Sequence, residues 1–149
     1  MFDLNEMIAI GSDHAGYKMK QYIIDNLGEE GYKFRDFGTN SEDSVDYPDY
    51  IHPLAKAIND GSIDKGIILC GTANGVAMTA NKYGNVRAAI CWNEDVVKFA
   101  RQHNDANILA LPARFISCEE ALNFTRLFFS TDFEGGRHER RVKKISAIL

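Results

Sequence analysis

The amino-acid sequence predicts an α/β fold, a Rossmann-like three-layer αβα sandwich built on about five parallel strands. Two observations carry that expectation. Short β-type runs alternate with helical patterns from end to end, the order that consecutive βαβ units produce. One of these runs, Gly66-Ile67-Ile68-Leu69-Cys70, is apolar on both faces, as a central strand of a parallel sheet must be.

The elements follow in order. Met7-Ile8-Ala9-Ile10-Gly11 reads as the first strand. Tyr17 to Leu27 places Met19, Ile23, Ile24 and Leu27 near one helical face, and the stretch from Gly28 to Gly31 ends that helix. Lys33 to Phe37 is the second strand. Gly38 to Tyr47 is polar and aperiodic, a loop, with Pro48 marking the entry to a helix through Leu54, Ala55 and Ile58. Gly66 to Cys70 is the third strand, Arg87 to Trp92 the fourth, Glu94 to Gln102 a helix and Asn107 to Leu111 the fifth strand. Cys118 to Phe129 is a strongly apolar helix. Arg137 to Leu149 forms a last helix beyond the Gly135-Gly136 hinge. With no internal repeat or long linker, residues 1–149 are expected to form a single domain.

Composition narrows the function classes. A chain of 149 residues with 45% apolar content can bury one core without covalent staples. Cys70, Cys91 and Cys118 show neither a disulfide framework nor the paired spacing of a zinc site, so they are expected to be reduced thiols in the cytoplasm. The first residues lack a basic segment followed by an apolar one, and no apolar run approaches membrane-spanning length, so neither secretion nor membrane insertion is expected. A net charge of -4 argues against nucleic acid as a partner. The charge is uneven, because five Lys or Arg and one Glu follow from Arg137 onward. A small anion such as phosphate fits that basic tip better than a polyanion does.

Ligands of open parallel sheets sit beyond the carboxyl ends of the strands. That rule selects Gly11-Ser12-Asp13-His14, the turn Cys70-Gly71-Thr72-Ala73-Asn74-Gly75 and the loop after Leu111. Small residues after a strand let backbone N–H groups point at an anion. A thiolate at Cys70 could then remove a proton α to a carbonyl while those N–H groups hold the developing oxyanion. Free cysteine is more often a small buried hydrophobe, the reading kept for Cys91 and Cys118. His103 closes the helix that follows the fourth strand, where it is either a partner for the helix dipole or an acid/base able to open a cyclic sugar. Asp13-His14 reads as an N-cap with a surface histidine or as part of a phosphate site. Arg137 and Arg141, four residues apart, share one helix face and can converge on one phosphate. They fall in the first turns of their helix, where the dipole opposes positive charge, so an external anion would explain them.

Six ordered motifs extend these readings: Gly11-Ser12-Asp13-His14-Ala15-Gly16, Asp46-Tyr47-Pro48, Cys70-Gly71-Thr72, Ala80-Asn81-Lys82, Arg101-Gln102-His103-Asn104-Asp105 and Glu134-Gly135-Gly136-Arg137-His138. Through them the chain resembles ribose-5-phosphate isomerase type B, in the group that includes the galactose-6-phosphate isomerase subunits. The resemblance implies an aldose/ketose isomerase, free of metal and cofactor, that interconverts ribose 5-phosphate and ribulose 5-phosphate through a cis-enediolate. It implies Cys70 as the base, Thr72 assisting at the substrate oxygens, and amides of Gly71, Thr72, Ala73, Asn74 and Gly75 as the anion hole. His103 and Asp13 would promote ring opening, Tyr47 and Asn104 would contact the sugar, and His14, Arg114, Arg137 and Arg141 would gather the phosphate. It further implies a homodimer or homotetramer with sites shared between subunits, His103, Asn104 and Arg114 serving the partner's Cys70.

A second branch of that family has glycine at the cysteine position and a glutamate shortly after the turn. Cys70 and Val76 put this chain in the cysteine branch. It departs from many relatives in Ala73, where glycine is common, and Ala77, where serine is. Ala73 is expected to limit the turn to angles that an L-residue tolerates. Two other readings remain open from the sequence: isomerisation of a hexose 6-phosphate such as allose or galactose 6-phosphate, and a non-catalytic nucleotide-binding module. Against the latter, the turn is not GxGxxG and no P-loop Gly-Lys-Ser/Thr occurs.

Overall fold

The computed structural model describes residue 3 and residues 5–147. Five parallel strands make one sheet in the order β2-β1-β3-β5-β4, with β1 Met7–Ser12, β2 Lys33–Asp36, β3 Gly66–Cys70, β4 Ala88–Ile90 and β5 Ile108–Pro112. The helices are α1 Tyr17–Glu29, α2 Tyr47–Asn59, α3 Asn74–Ala80, α4 Glu94–Gln102, α5 Cys118–Ser130 and α6 Arg137–Ile145.

The sheet separates two apolar cores because neighbouring residues of a strand face opposite ways. Ile8, Ile10, Ile67, Leu69, Leu109 and Leu111 pack with α1, α4 and α5 on one face. Ala9, Ile68, Cys70, Ile108 and Ala110 pack with α2 and α3 on the other. Every residue of β3 and of β5 is buried, as the apolar run at 66–70 predicts. Close approach fixes the entry to α1: a Cβ on Gly16 would stand 2.8 Å from Leu69 Cβ and 2.9 Å from its carbonyl oxygen.

Expected and observed elements differ mainly at their ends. Helix α1 continues through Gly28 and ends at Glu29, and the chain turns away at Gly31, whose φ of +97° suits glycine. The fourth strand is only three residues long, and α3, which periodicity did not delimit, is a seven-residue helix. The expected last helix ends at Ile145, and residues 148 and 149 of that expectation lie outside the described residues. Side-chain caps form at two helices, α4 and α5, whereas Gly16 rather than Asp13 is the N-cap of α1 and Asp46 caps α2 without a side-chain hydrogen bond. Ser117 and Glu120 form a reciprocal capping box at α5, and Asn93 accepts from the Val96 N–H at α4, devices worth about 1 kcal/mol each.

Strand β4 is an edge. There the Asn81 side chain plays the part of a neighbour, since its Oδ1 accepts from Ala88 N–H at 2.8 Å and its Nδ2 donates to Ala88 O at 3.0 Å. Among the described residues no helix is long and apolar enough to cross a membrane.

Candidate active site

The chain leaves β1 for β2 on one side and later continues from β3 on the other, so the carboxyl ends of β1 and β3 bound the crevice where ligands of such sheets bind. Ser12 lies in register with Leu69, and Asp13 N–H donates to Leu69 O at 3.2 Å, which holds the two loops side by side. Cys70 ends β3 with its side chain toward α2 and α3, only 6% exposed, and its carbonyl accepts from Ala113 N–H at 2.9 Å.

The turn after Cys70 is clasped by two side chains. A Cβ on Gly75 would stand 2.5 Å from Cζ of Tyr47, and one on Gly71 would stand 3.1 Å from Cδ and 3.2 Å from Nη1 of Arg114. Glycine at 75 therefore permits the close approach of the Tyr47 ring, while a side chain at 71 would press Arg114 aside by a few tenths of an ångström. Gly71, Thr72 and Ala73 direct their N–H groups to no acceptor within the described residues, whereas Asn74 N–H donates to Thr72 Oγ1 at 3.2 Å. That arrangement leaves the Thr72 hydroxyl proton free to donate outward. Asp13, 8% exposed, accepts from Gly16 N–H through Oδ1 at 3.1 Å, so one of its oxygens shapes the turn into α1. His14 Nδ1 accepts from Val45 N–H at 3.2 Å, which turns Nε2–H outward as the donor.

The remaining expected residues lie at the other edge of the sheet. Helix α4 runs back against the strand direction, and His103, its C-cap, precedes the turn in which Asn107 N–H donates to Arg87 O and Gly66 N–H to Asn107 O. Gly66 opens β3 and Cys70 closes it, about 13 Å apart at 3.3 Å per residue. Asn104 lines a hollow of about 740 Å³ with Tyr83, Arg87 and Ile145 at this same edge, away from Cys70. Helix α6 begins here too, because Glu134 N–H donates to Gln102 O at 3.1 Å, and Arg137 and Arg141 are exposed on it. The expected residues thus form two groups, Asp13, His14, Tyr47, the 70–75 turn and Arg114 at the carboxyl edge, and His103, Asn104, Arg137 and Arg141 at the amino edge.

Two expectations are corrected. Arg114 stands against Gly71 of its own chain, because the β5 loop packs on the β3 loop and Arg114 N–H donates to Gly71 O at 3.1 Å. It belongs with its own Cys70 rather than a partner's. Ala73 does not restrict the turn: it adopts φ +65°, the left-handed region usual for glycine, with its methyl fully buried. An L-residue there costs about 1–2 kcal/mol, and burying a methyl recovers about 0.8 kcal/mol. The Ala73→Gly variant is therefore expected to differ from wild type by less than about 1 kcal/mol in chemical denaturation, since the two effects oppose. A loss well above that would mean that the methyl packing dominates.

Sequence reading singled out His138 only as part of a motif, and Phe99 not at all. The His103 imidazole is stacked on the His138 ring at 4.2 Å between centroids and 11° between planes, and on Phe99 at 4.8 Å and 23°. Phe99 sits four residues before His103 on one helix, a spacing open to sequence; His138 arrives from α6, which is not. Cys91 is fully buried, which pushes its thiol up to about 12 and leaves it inert.

Comparison with known proteins places the whole chain in one family. The profile of the family described as Ribose/Galactose Isomerase matches residues 8–145. Ribose-5-phosphate isomerase B of Escherichia coli is 40% identical over 141 residues, covering 95% of each chain. The crystal structure of a ribose 5-phosphate isomerase from Thermotoga maritima superposes with a TM-score of 0.92 at 47% identity, over 95% of this chain and 97% of that one. That of ribose-5-phosphate isomerase B from Mycoplasma genitalium, with bound ribulose-5-phosphate, gives 0.91 at 38% identity, over 97% and 96%. With the profile spanning almost the whole sheet and its helices, and these relatives aligned nearly end to end, the chain is an enzyme belonging to the ribose/galactose isomerase family.

Proposed function

We propose that this isomerase interconverts ribose 5-phosphate and ribulose 5-phosphate through a cis-enediolate, with Cys70 as the base. The observation that carries the proposal is the thiol of Cys70 beneath a turn whose Gly71, Thr72 and Ala73 amides are unclaimed, clasped by Tyr47 and Arg114. The ribulose-5-phosphate bound to the Mycoplasma genitalium relative supports the choice of sugar.

The chemistry follows from those groups. His103 moves a proton between the anomeric hydroxyl and the ring oxygen, which opens the aldose. Cys70 thiolate then takes the C2 proton, and the electron pair shifts to O1, where the turn amides and the Thr72 hydroxyl hold the negative charge. The O2 proton passes to O1 and Cys70 returns its proton to C1, so that O1 becomes a hydroxyl and C2 a ketone. Because the enediolate is cis, one base on one face and one anion hole serve both carbons. His14 Nε2–H and Arg114 grip the phosphate from the carboxyl edge.

The two-edge arrangement supports a homodimer, or a homotetramer built from such dimers. Each site takes Asp13, His14, Tyr47, the 70–75 turn and Arg114 from one copy, and His103, Asn104, Arg137 and Arg141 from another. Exposed Met78, Trp92 and Phe99, at 68%, 55% and 50%, on elements beside or leading from edge strand β4, offer the apolar surface that such a contact needs. In the cytoplasm these thiols stay reduced and Cys70 remains available.

A substrate panel tests the proposal. kcat/KM is expected to be at least about tenfold higher for ribose 5-phosphate than for allose or galactose 6-phosphate, the scale of discrimination that one carbon unit provides. A preference for a hexose would move the assignment to that sugar, and tight nucleotide binding without turnover would remove it.

A further inference from the structure

We propose that His138 is a positioning residue that fixes the plane of the His103 imidazole; the inference rests on the reading of His103 as the ring-opening group. The chain is built to bring these two rings together. Glu134 N–H occupies the Gln102 carbonyl at the end of α4, one of the carbonyls that a helix leaves without a partner. Gly135 and Gly136, at φ +69° and +59°, then turn the backbone so that α6 starts beside His103. Of the residues of α6, His138 alone is buried, at 9% exposed, and its burial lies against His103.

The result is a three-ring sandwich. Phe99 covers one face of the His103 imidazole and His138 the other, at 4.8 and 4.2 Å, with planes 23° and 11° apart. Rotation out of plane is blocked on both sides, while no hydrogen bond among the described residues engages the ring nitrogens. An imidazole that must exchange protons with two different sugar oxygens needs that restraint, because a displacement of about 1 Å can cost about a hundredfold.

The neighbourhood excludes a simpler reading of the cluster. Ligand atoms of His103, Glu134 and His138 lie within 4.8 Å of one another, which suggests a chelate. Nearly parallel rings direct their nitrogen lone pairs side by side rather than at one point, so the pair is stacked and not aimed at a common ion. Glu134 Oε2 lies 3.8 Å from His138 Nε2, beyond hydrogen-bond length. Burial, then the His103 imidazole and the Arg137 guanidinium, hold His138 below the ordinary histidine range; Arg141 acts in the same direction and Glu134 opposes them. His138 stacks on His103 at the amino edge, away from Cys70 and its turn at the carboxyl edge, so within the chain its influence passes through His103.

The experiment separates ring opening from proton transfer at carbon. Ribulose 5-phosphate has no free hydroxyl able to close a furanose ring, so exchange of its C1 hydrogen with solvent deuterium reports Cys70 chemistry without the ring step. Isomerisation of ribose 5-phosphate reports both. For His138→Ala, kcat on ribose 5-phosphate is expected to fall about tenfold to a hundredfold with little change in KM, while C1 exchange followed by NMR stays at the wild-type rate. His138→Phe, which keeps a stacking ring without the nitrogens, is expected to regain most of the loss. The proposal is overturned if the phenylalanine variant is no better than the alanine one, if alanine has no effect, or if exchange and kcat fall together because α6 has come loose. Wild-type protein that exchanges no faster than Cys70→Ala would instead sink the underlying assignment of Cys70, a result that the two His138 variants cannot mimic.

Discussion

Replacing Cys70 by alanine is expected to lower kcat for ribose 5-phosphate about 10²- to 10⁴-fold, the range that positioned acid/base groups contribute. The packing cost is separable. Cys70 is 6% exposed and lies in the core beneath α2 and α3, so losing its sulfur should cost on the order of 1 kcal/mol of stability, as for other small buried groups. A residue that served packing alone would show the stability change and no kinetic one. Thermal melting and steady-state kinetics on the same preparation distinguish the two outcomes. A kinetic loss under about tenfold would remove Cys70 from the role of base, whatever happens to the melting temperature. KM is expected to move little, because the phosphate grip at His14 and Arg114 is untouched.

The second large effect is a rescue. Cys70→Ala and His103→Ala chains should each be nearly inactive as homo-oligomers. In a mixed pair, one site joins the intact Cys70 of one chain to the intact His103 of the other, and its companion site carries both lesions. Refolding the variants together at equal concentrations should therefore restore about a quarter of wild-type activity if assembly is random and two-fold. Activity that stays at the sum of the separate variants would mean that each site is built within one chain. That outcome would require His103 to cross the sheet, since it lies beside the amino ends of β3 and β5 while Cys70 closes β3 at the opposite edge.

How much of this was legible in the sequence depends on the range of the interaction. The buried strand at 66–70 and the loop positions that follow strands are local patterns, and they identified Cys70, its turn and Asp13-His14. Helix α3 was not delimited, because seven residues after a glycine turn complete too few turns to show a period. Strand β4 is shorter than expected because an edge strand pairs on one side only. The angle at Ala73 was misjudged since the chain of β3 and the start of α3 demand a left-handed residue there, and tertiary structure enforces it on an alanine. The placement of Arg114 and of His138 depends on which loop meets which helix end. Neither contact leaves a periodic or compositional trace.

Asn81 has a consequence for assembly. By satisfying both the N–H and the C=O of Ala88, one amide side chain occupies the place where a sixth strand would begin to hydrogen-bond. Copies of the chain therefore meet a closed position at the start of β4, which works against zipping backbone to backbone into an extended ribbon. Whatever association occurs along this flank must be made by side chains of fixed shape, which limits how many copies can join and in what orientation. Soluble, finite particles rather than fibres are the outcome that this single residue favours.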